Sequence, residues 1–259
     1  MVVGLDTFSE HFKDFPNSYL IIGGTACDII IEEAGFVPRA TDDIDIILIV
    51  EALTSEFVAH FWSFIKEGGY QVQQKEMDKK TCYRFNKPQA GNFPKQIELF
   101  CKVPDIIEPF ADAHLTPIPV EEGLSSLSAI LLNEEYYQYT IQNAQIKDGV
   151  HFATSNSIIC LKAYAYLSNK QLKEQGRNIK DWNIKKHKYD VFRMVFLLPQ
   201  DNIFDTPATI KADLQKFADT IKTDLPDLAI FKSNGFVAPD MQTIFNQFVK
   251  SFNLSINEQ

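Results

Sequence analysis

The chain has 259 residues, 45% of them hydrophobic, and a formal net charge of −9. That hydrophobic content belongs to a packed globular protein rather than a disordered one, and no run of about eighteen apolar residues marks a membrane span. The acidic balance excludes non-specific coating of nucleic acid, which needs many lysines and arginines along the phosphate backbone.

In chain order, residues 19–22 read as a first strand ended by Gly23-Gly24, and residues 25–34 have helical apolar spacing closed by Gly35. Residues 43–50 are isoleucine-rich and continuous enough in apolar character for a central, buried strand. Thr54 or Ser55 caps a helix whose apolar positions are Phe57, Val58, Phe61, Trp62, Phe64 and Ile65, stopped at Gly68-Gly69. Further strands are expected at residues 70–74, 82–86, 96–102 and 115–120. Residues 129–153 carry β-prone Tyr136, Tyr137, Tyr139 and Ile141 but show no clear element, apart from a Lys147-Asp148-Gly149 turn. After Thr154 the pattern becomes helical, at residues 158–167, 189–198, 208–223 behind Pro207 and 241–252 behind Pro239. The expectation is an α+β fold, with a layered mixed sheet and flanking helices over residues 1–150 and a C-terminal helical lobe over residues 151–259.

Cys27, Cys82, Cys101 and Cys160 form no C-x-x-C pair, so neither a zinc signature nor a disulfide framework is expected. The N-terminus lacks the basic and apolar regions of a secretory signal, and the reading is a cytosolic protein with reduced thiols. Charge is unevenly spread. Between Lys162 and Arg193 nine basic residues stand against three acids, which leaves the rest of the chain at −15. Such a run is either a solvated helix face or an anion site opposite an acidic half.

The chemistry concentrates in Gly23-Gly24-Thr25 and, eighteen residues later, Asp43-Ile44-Asp45-Ile46. Side chains alternate along a strand, so Asp43 and Asp45 share a face while Ile44 and Ile46 point into the opposite layer. Two carboxylates side by side repel unless a cation lies between them, and hard oxygen ligands suit Mg²⁺ completed by a substrate's phosphates. A Gly-Gly-Thr turn between strand and helix offers backbone N–H groups and the positive end of the helix to a phosphate, with Thr25 as a further donor. Alone, the first feature reads as solvated charges and the second as a plain turn; together they are specific.

Gly-Gly-Thr, a helix, then Arg39-x-Thr41-x-Asp43-Ile44-Asp45 and an apolar strand resembles the opening motif of the DNA polymerase β-type nucleotidyltransferases. Within them the sequence is most similar to the AbiEii-type group, the toxin halves of bacterial abortive-infection and toxin–antitoxin pairs. The likeness covers residues 19–50 and, more weakly, 155–198. It implies a nucleotidyltransferase-like fold with a third carboxylate from a later strand. Glu98, in Gln96-Ile97-Glu98-Leu99-Phe100, alternates correctly for that role and is preferred to Asp105, which follows Pro104. It also implies a lysine on the first helix of the lobe, matched by Lys162, and a lysine with a downstream aspartate on a later one, matched by Lys186 and Asp190. The group has Lys-Asp at the start of this last motif, and here His187 stands in the aspartate's place.

The resemblance implies Mg²⁺- or Mn²⁺-dependent transfer of an NMP group from an NTP to a hydroxyl on tRNA, protein or a small molecule. It also implies an antitoxin protein as partner, while the want of a long apolar run leaves no membrane partner expected. Asp43, Asp45 and Glu98 would then be catalytic and metal-binding, and Gly23, Gly24, Thr25, Lys162, Lys186 and Asp190 would bind nucleotide. Two other readings stay open. One is an antibiotic-type nucleotidyltransferase, whose cationic substrate suits an acidic protein, and the other is a non-catalytic nucleotide-binding module.

Overall fold

The computed structural model describes residues 2–39, 41–77, 80–101, 115–117 and 133–255; the expected strand ends at residues 102 and 118–120, and Asp105, lie outside them. Among the described residues eight strands form one mixed sheet, in the order β6-β3-β4-β5-β2-β1-β8-β7. These are β1 (Tyr19–Ile22), β2 (Asp43–Leu48), β3 (Gln71–Met77), β4 (Lys80–Asn86), β5 (Gln96–Cys101), β6 (Leu115–Pro117), β7 (Ala144–Lys147) and β8 (Val150–Ala153). The α+β class with flanking helices is therefore as expected. The pairs β2–β5, β1–β8 and β3–β6 run parallel and the rest antiparallel.

One face of the sheet is covered by α1 (Leu5–Phe12), which was not expected from sequence, and α3 (Ser55–Gly68). Phe8 and Phe12, one turn apart, meet Phe64 at 5.7 and 5.2 Å, and α3 sets Phe61 and Trp62 against Phe85 of β4. The Thr54 hydroxyl accepts from the Phe57 amide and Gly69, at φ 63°, ends the helix, so both stops read from sequence operate. The other face carries α2 (Gly23–Glu33), packed on β1 and β2 and in turn covered by α5 (Ser155–Glu174) and α6 (Asp181–Val195). Behind these lie α7 (Ala208–Ile221), the short α8 (Ala229–Lys232) and α9 (Met241–Ser251).

The tyrosine-rich stretch is a helix, α4 (Glu134–Gln142), rather than a strand. Asn133 caps it by accepting from the Glu135 and Tyr136 amides, and two acids fill its first turn. Its tyrosines are buried by long-range contacts that outweigh their strand preference. The Tyr136 hydroxyl donates to Asp213 at 3.0 Å and that of Tyr139 accepts from Asn156 at 3.0 Å. The turn at residues 147–149 does form, with Asp148 at φ 49° and Gly149 at φ 77° joining β7 to β8. Through β8 the sheet continues to Ala153, and the helical part of the chain starts at Ser155. Cys27 and Cys160 are free and buried, and burial pushes the Cys27 thiol up to about 12. No helix among the described residues is long and apolar enough to cross a membrane.

Candidate functional site

β2 lies between β1 and β5, so that Asp45 faces Ile22 on one side and Glu98 on the other, while Asp43 faces Gln96. From β4, Arg84 stands opposite Glu98. The two-residue period of a strand thus gathers Asp43, Asp45, Glu98, Gln96 and Arg84 on one face. Ile44, Ile46, Ile97 and Leu99 take the other face and are buried.

The glycines do not form a loop ahead of α2; they are its first two residues, and α2 begins two residues earlier than expected. Gly23 has φ 73°, and a Cβ on it would lie 1.9 Å from Asp45 Oδ2. A Cβ on Gly24 would meet Thr41 Cγ2 at 2.5 Å. Glycine is needed at Gly23 on both counts, since the left-handed backbone disfavours a side chain and the aspartate occupies its space. Thr25 is fully buried and its hydroxyl donates to the Asp43 carbonyl at 2.5 Å, so the side chain expected to meet a phosphate ties α2 to β2 instead. Asp28, one turn further, accepts from the Thr41 amide at 2.8 Å and its hydroxyl at 2.5 Å and fixes the approach to β2.

Gly23→Ala should therefore displace the Asp45 carboxylate. The left-handed backbone alone costs about 1–2 kcal/mol with a Cβ. A modest fall in melting temperature with loss of any activity at the site is the expected pair of results, and full activity in this variant would show that the close approach of Gly23 to Asp45 has no functional part.

Burial and then the Glu98 carboxylate push the Asp45 carboxyl well above its ordinary value, and burial and then Asp42 raise that of Asp43. Glu98 is 5% exposed, and its Oε1 accepts from Arg84 Nε at 3.1 Å and Gln96 Nε2 at 3.2 Å, with Arg84 Nη2 at 3.0 Å. The third carboxylate thus reaches the expected face already clamped by a guanidinium that the sequence reading missed. Its signal was the one that marked Glu98: Arg84 is a charge between two core aromatics, Tyr83 and Phe85.

Across from the carboxylates, α5 and α6 supply cations. Lys162, 4% exposed, lies 3.3 Å from Asp190 Oδ2; Arg193 Nη1 donates to Asp190 Oδ1 at 3.0 Å; and Arg39 Nη2 lies 3.7 Å from Asp190 Oδ2. Burial would raise the Asp190 pKa, but Lys162, Arg39 and Arg193 together hold it below the ordinary carboxylate value. Asp190 therefore serves Lys162 and the two arginines, whereas Lys186, four residues before it, makes no ion pair among the described residues. Burial and the nearby charges of Lys162 and Arg39 lower the Lys186 pKa. His187 is 4% exposed, and burial followed by Lys162 and Lys186 lowers its imidazole pKa well below the ordinary value. The basic run is thus divided, since Lys162, Lys188 and Arg193 are buried with acidic partners while Lys173, Arg177, Lys180 and Lys185 are exposed.

Among the described residues no three His, Cys, Asp or Glu side chains converge into a ready cation cage. Mg²⁺ does not require one, because it is held through one or two carboxylates together with waters and substrate phosphates. Asp43 and Asp45 fit that donor set: burial first, and then a neighbouring carboxylate, raises both their pKa values, and a bound cation would offset both effects.

No protein-family model and no curated protein matches the chain. Among solved structures it is similar to an antigenic nucleotidyltransferase-like protein from Paracoccidioides brasiliensis, with 13% identity, 94% of each chain covered and a TM-score of 0.42. At that distance the likeness transfers no residue role to this chain and does not reach the AbiEii-type group.

Proposed function

We propose that this protein is a Mg²⁺-dependent nucleotidyltransferase that moves an NMP group from an NTP to an acceptor hydroxyl. What supports the reading most is one juxtaposition: Asp43, Asp45 and Glu98 share a sheet face, opposite Lys162 and Lys186 and against the glycine-started helix α2. Bound there, Mg²⁺ would supply charge for the triphosphate and the developing oxyanion, held by Asp43 and Asp45. The amides of Gly23 and Gly24 and the ammonium groups of Lys162 and Lys186 would hold phosphate oxygens, and Asp190 would orient Lys162. The acceptor oxygen attacks the α-phosphorus, pyrophosphate leaves, and the hydroxyl proton passes to Glu98, kept in place by Arg84. Acting on NTP, the enzyme works in the cytosol. With an AbiEii-like motif its partner is an antitoxin protein, and a small reading frame directly upstream would be the first sign of it.

The Arg84–Glu98 clamp specifically favours a second reading, a nucleotide-binding module without turnover, because it engages the third carboxylate. Incubation with each radiolabelled NTP, Mg²⁺ and total cellular RNA or protein separates the two. Label in one acceptor pool supports transfer, and NTP binding without label supports the module. For Glu98→Gln the expected result is unchanged NTP affinity with turnover lower by orders of magnitude, the signature of lost transition-state stabilisation. Full turnover in that variant would reduce Glu98 to a structural partner of Arg84.

A further inference from the structure

Of the two tryptophans, Trp62 is 5% exposed under the sheet, while Trp182 is 58% exposed on the first turn of α6. The indole is rooted despite its exposure. Its ring stands 6.1 Å from that of Tyr189, two turns on, and Tyr189 meets the fully buried Phe231 edge-on at 6.4 Å. Positions 182, 185, 186 and 189 follow the i, i+3, i+4, i+7 spacing of one helix face, so Lys185 and Lys186 lie between the two rings. Lys186 is at the same time close enough to Asp43 and Asp45 to act on both charges. One face of α6 therefore leads from the carboxylates, past an ammonium without an ion pair among the described residues, to an exposed aromatic ring about one helical turn away. The order of groups along it, hard oxygens, then cation, then π-surface, matches the order of parts in a nucleotide.

Resting on the nucleotidyltransferase reading, we propose that Trp182, backed by Tyr189, is the stacking platform for the nucleobase of the donor NTP, with Lys186 meeting its phosphates. Every base has a π-face, so a platform of this kind binds the four NTPs with little discrimination, and selectivity among them must come from elsewhere. The alternative occupant of an exposed indole is another protein surface. The charge beside this one favours an anion-bearing ligand.

The chain's own fluorescence tests the proposal, because subtracting the emission of Trp182→Phe from that of wild type isolates Trp182. Each NTP should quench that emission saturably, while inorganic tripolyphosphate, bound as seen by calorimetry, should leave it unchanged. Trp182→Ala should weaken NTP binding by about 5- to 150-fold, the equivalent of one base–aromatic stack, and Trp182→Phe should recover most of it. Tripolyphosphate affinity should be equal in all three proteins. If NTP binds calorimetrically with neither quenching nor an effect of Trp182→Ala, the platform is overturned and the nucleotidyltransferase reading survives. Absence of NTP binding in the wild type would remove both. Emission that follows protein concentration and ignores NTP would assign the indole to a contact between copies, again overturning the platform.

Discussion

Asp45→Asn should abolish NMP transfer while leaving the protein at least as stable as the wild type. Asp45 sits beside Glu98 across β2 and β5, and burial together with that like charge pushes its carboxyl well above the ordinary range. A group in that state opposes folding when ionised, so a neutral isostere relieves repulsion rather than breaking a favourable pair. Asp43→Asn, on the more exposed end of the strand, should be close to neutral for stability. Transfer should fall by orders of magnitude in both and below detection in the double variant, because the donor set for Mg²⁺ is lost. Calorimetry provides the companion measurement, with Mg²⁺ taken up usefully only alongside NTP in wild type and that coupling absent in the double variant. Equal coupling in both would sink the assignment of the aspartates. A clear loss of melting temperature in Asp45→Asn would instead mean that its main role is to pair with Lys162.

Much of this site was legible because strand chemistry is periodic. Asp43 and Asp45 could be placed on one face from alternation alone, while Glu98 was reached through the family resemblance and its own alternation, and the parallel register sets it beside Asp45. The helix around Phe57 and Phe61 was legible for a similar reason, its cap and stop being local signals at Thr54 and Gly69. What stayed hidden depends on residues distant in sequence. Tyr136, Tyr137 and Tyr139 read as strand formers until Asp213, Glu51 and Asn156 are brought to their hydroxyls. Thr25 looked outward by its position in a Gly-Gly-Thr turn, but the turn is already helix, and the Asp43 carbonyl comes close enough to take its hydroxyl.

Charge patterns were the least legible of all. Lys186 and Asp190 have the spacing of a helical pair, yet Asp190 faces Lys162 from a neighbouring helix and Arg39 from the segment that joins α2 to β2. Spacing cannot rank a local partner against one delivered by tertiary packing. The same limit explains why nine basic residues read as a single run, although three are buried beside acids and others are solvated.

Asp190 carries the largest expected effect on stability. It is 2% exposed and is shared by Lys162, Arg193 and Arg39, residues from three separate segments of the chain. Asp190→Ala leaves those cations facing one another in a buried space, and removing one partner of such a group costs about 3–5 kcal/mol. At about 2–4 °C per kcal/mol for a chain of this size, melting should fall by roughly 6 to 20 °C. Asp224→Asn is the control, since Asp224 is 77% exposed and its backbone carbonyl continues to accept from Lys188 at 2.7 Å. That variant should cost under about 1 kcal/mol. The pH dependence carries a sign as well. The folded Asp190 carboxyl is held below its unfolded value, so its contribution is fully present above the unfolded carboxylate pKa, about 3.9, and is lost as pH falls through the folded value. Asp190→Asn, already without the charge, should therefore lose less stability than the wild type as the solution is acidified below about pH 4. Parallel acid profiles for the two proteins, or a melting loss no greater than that of Asp224→Asn, would show that the three cations do not depend on Asp190.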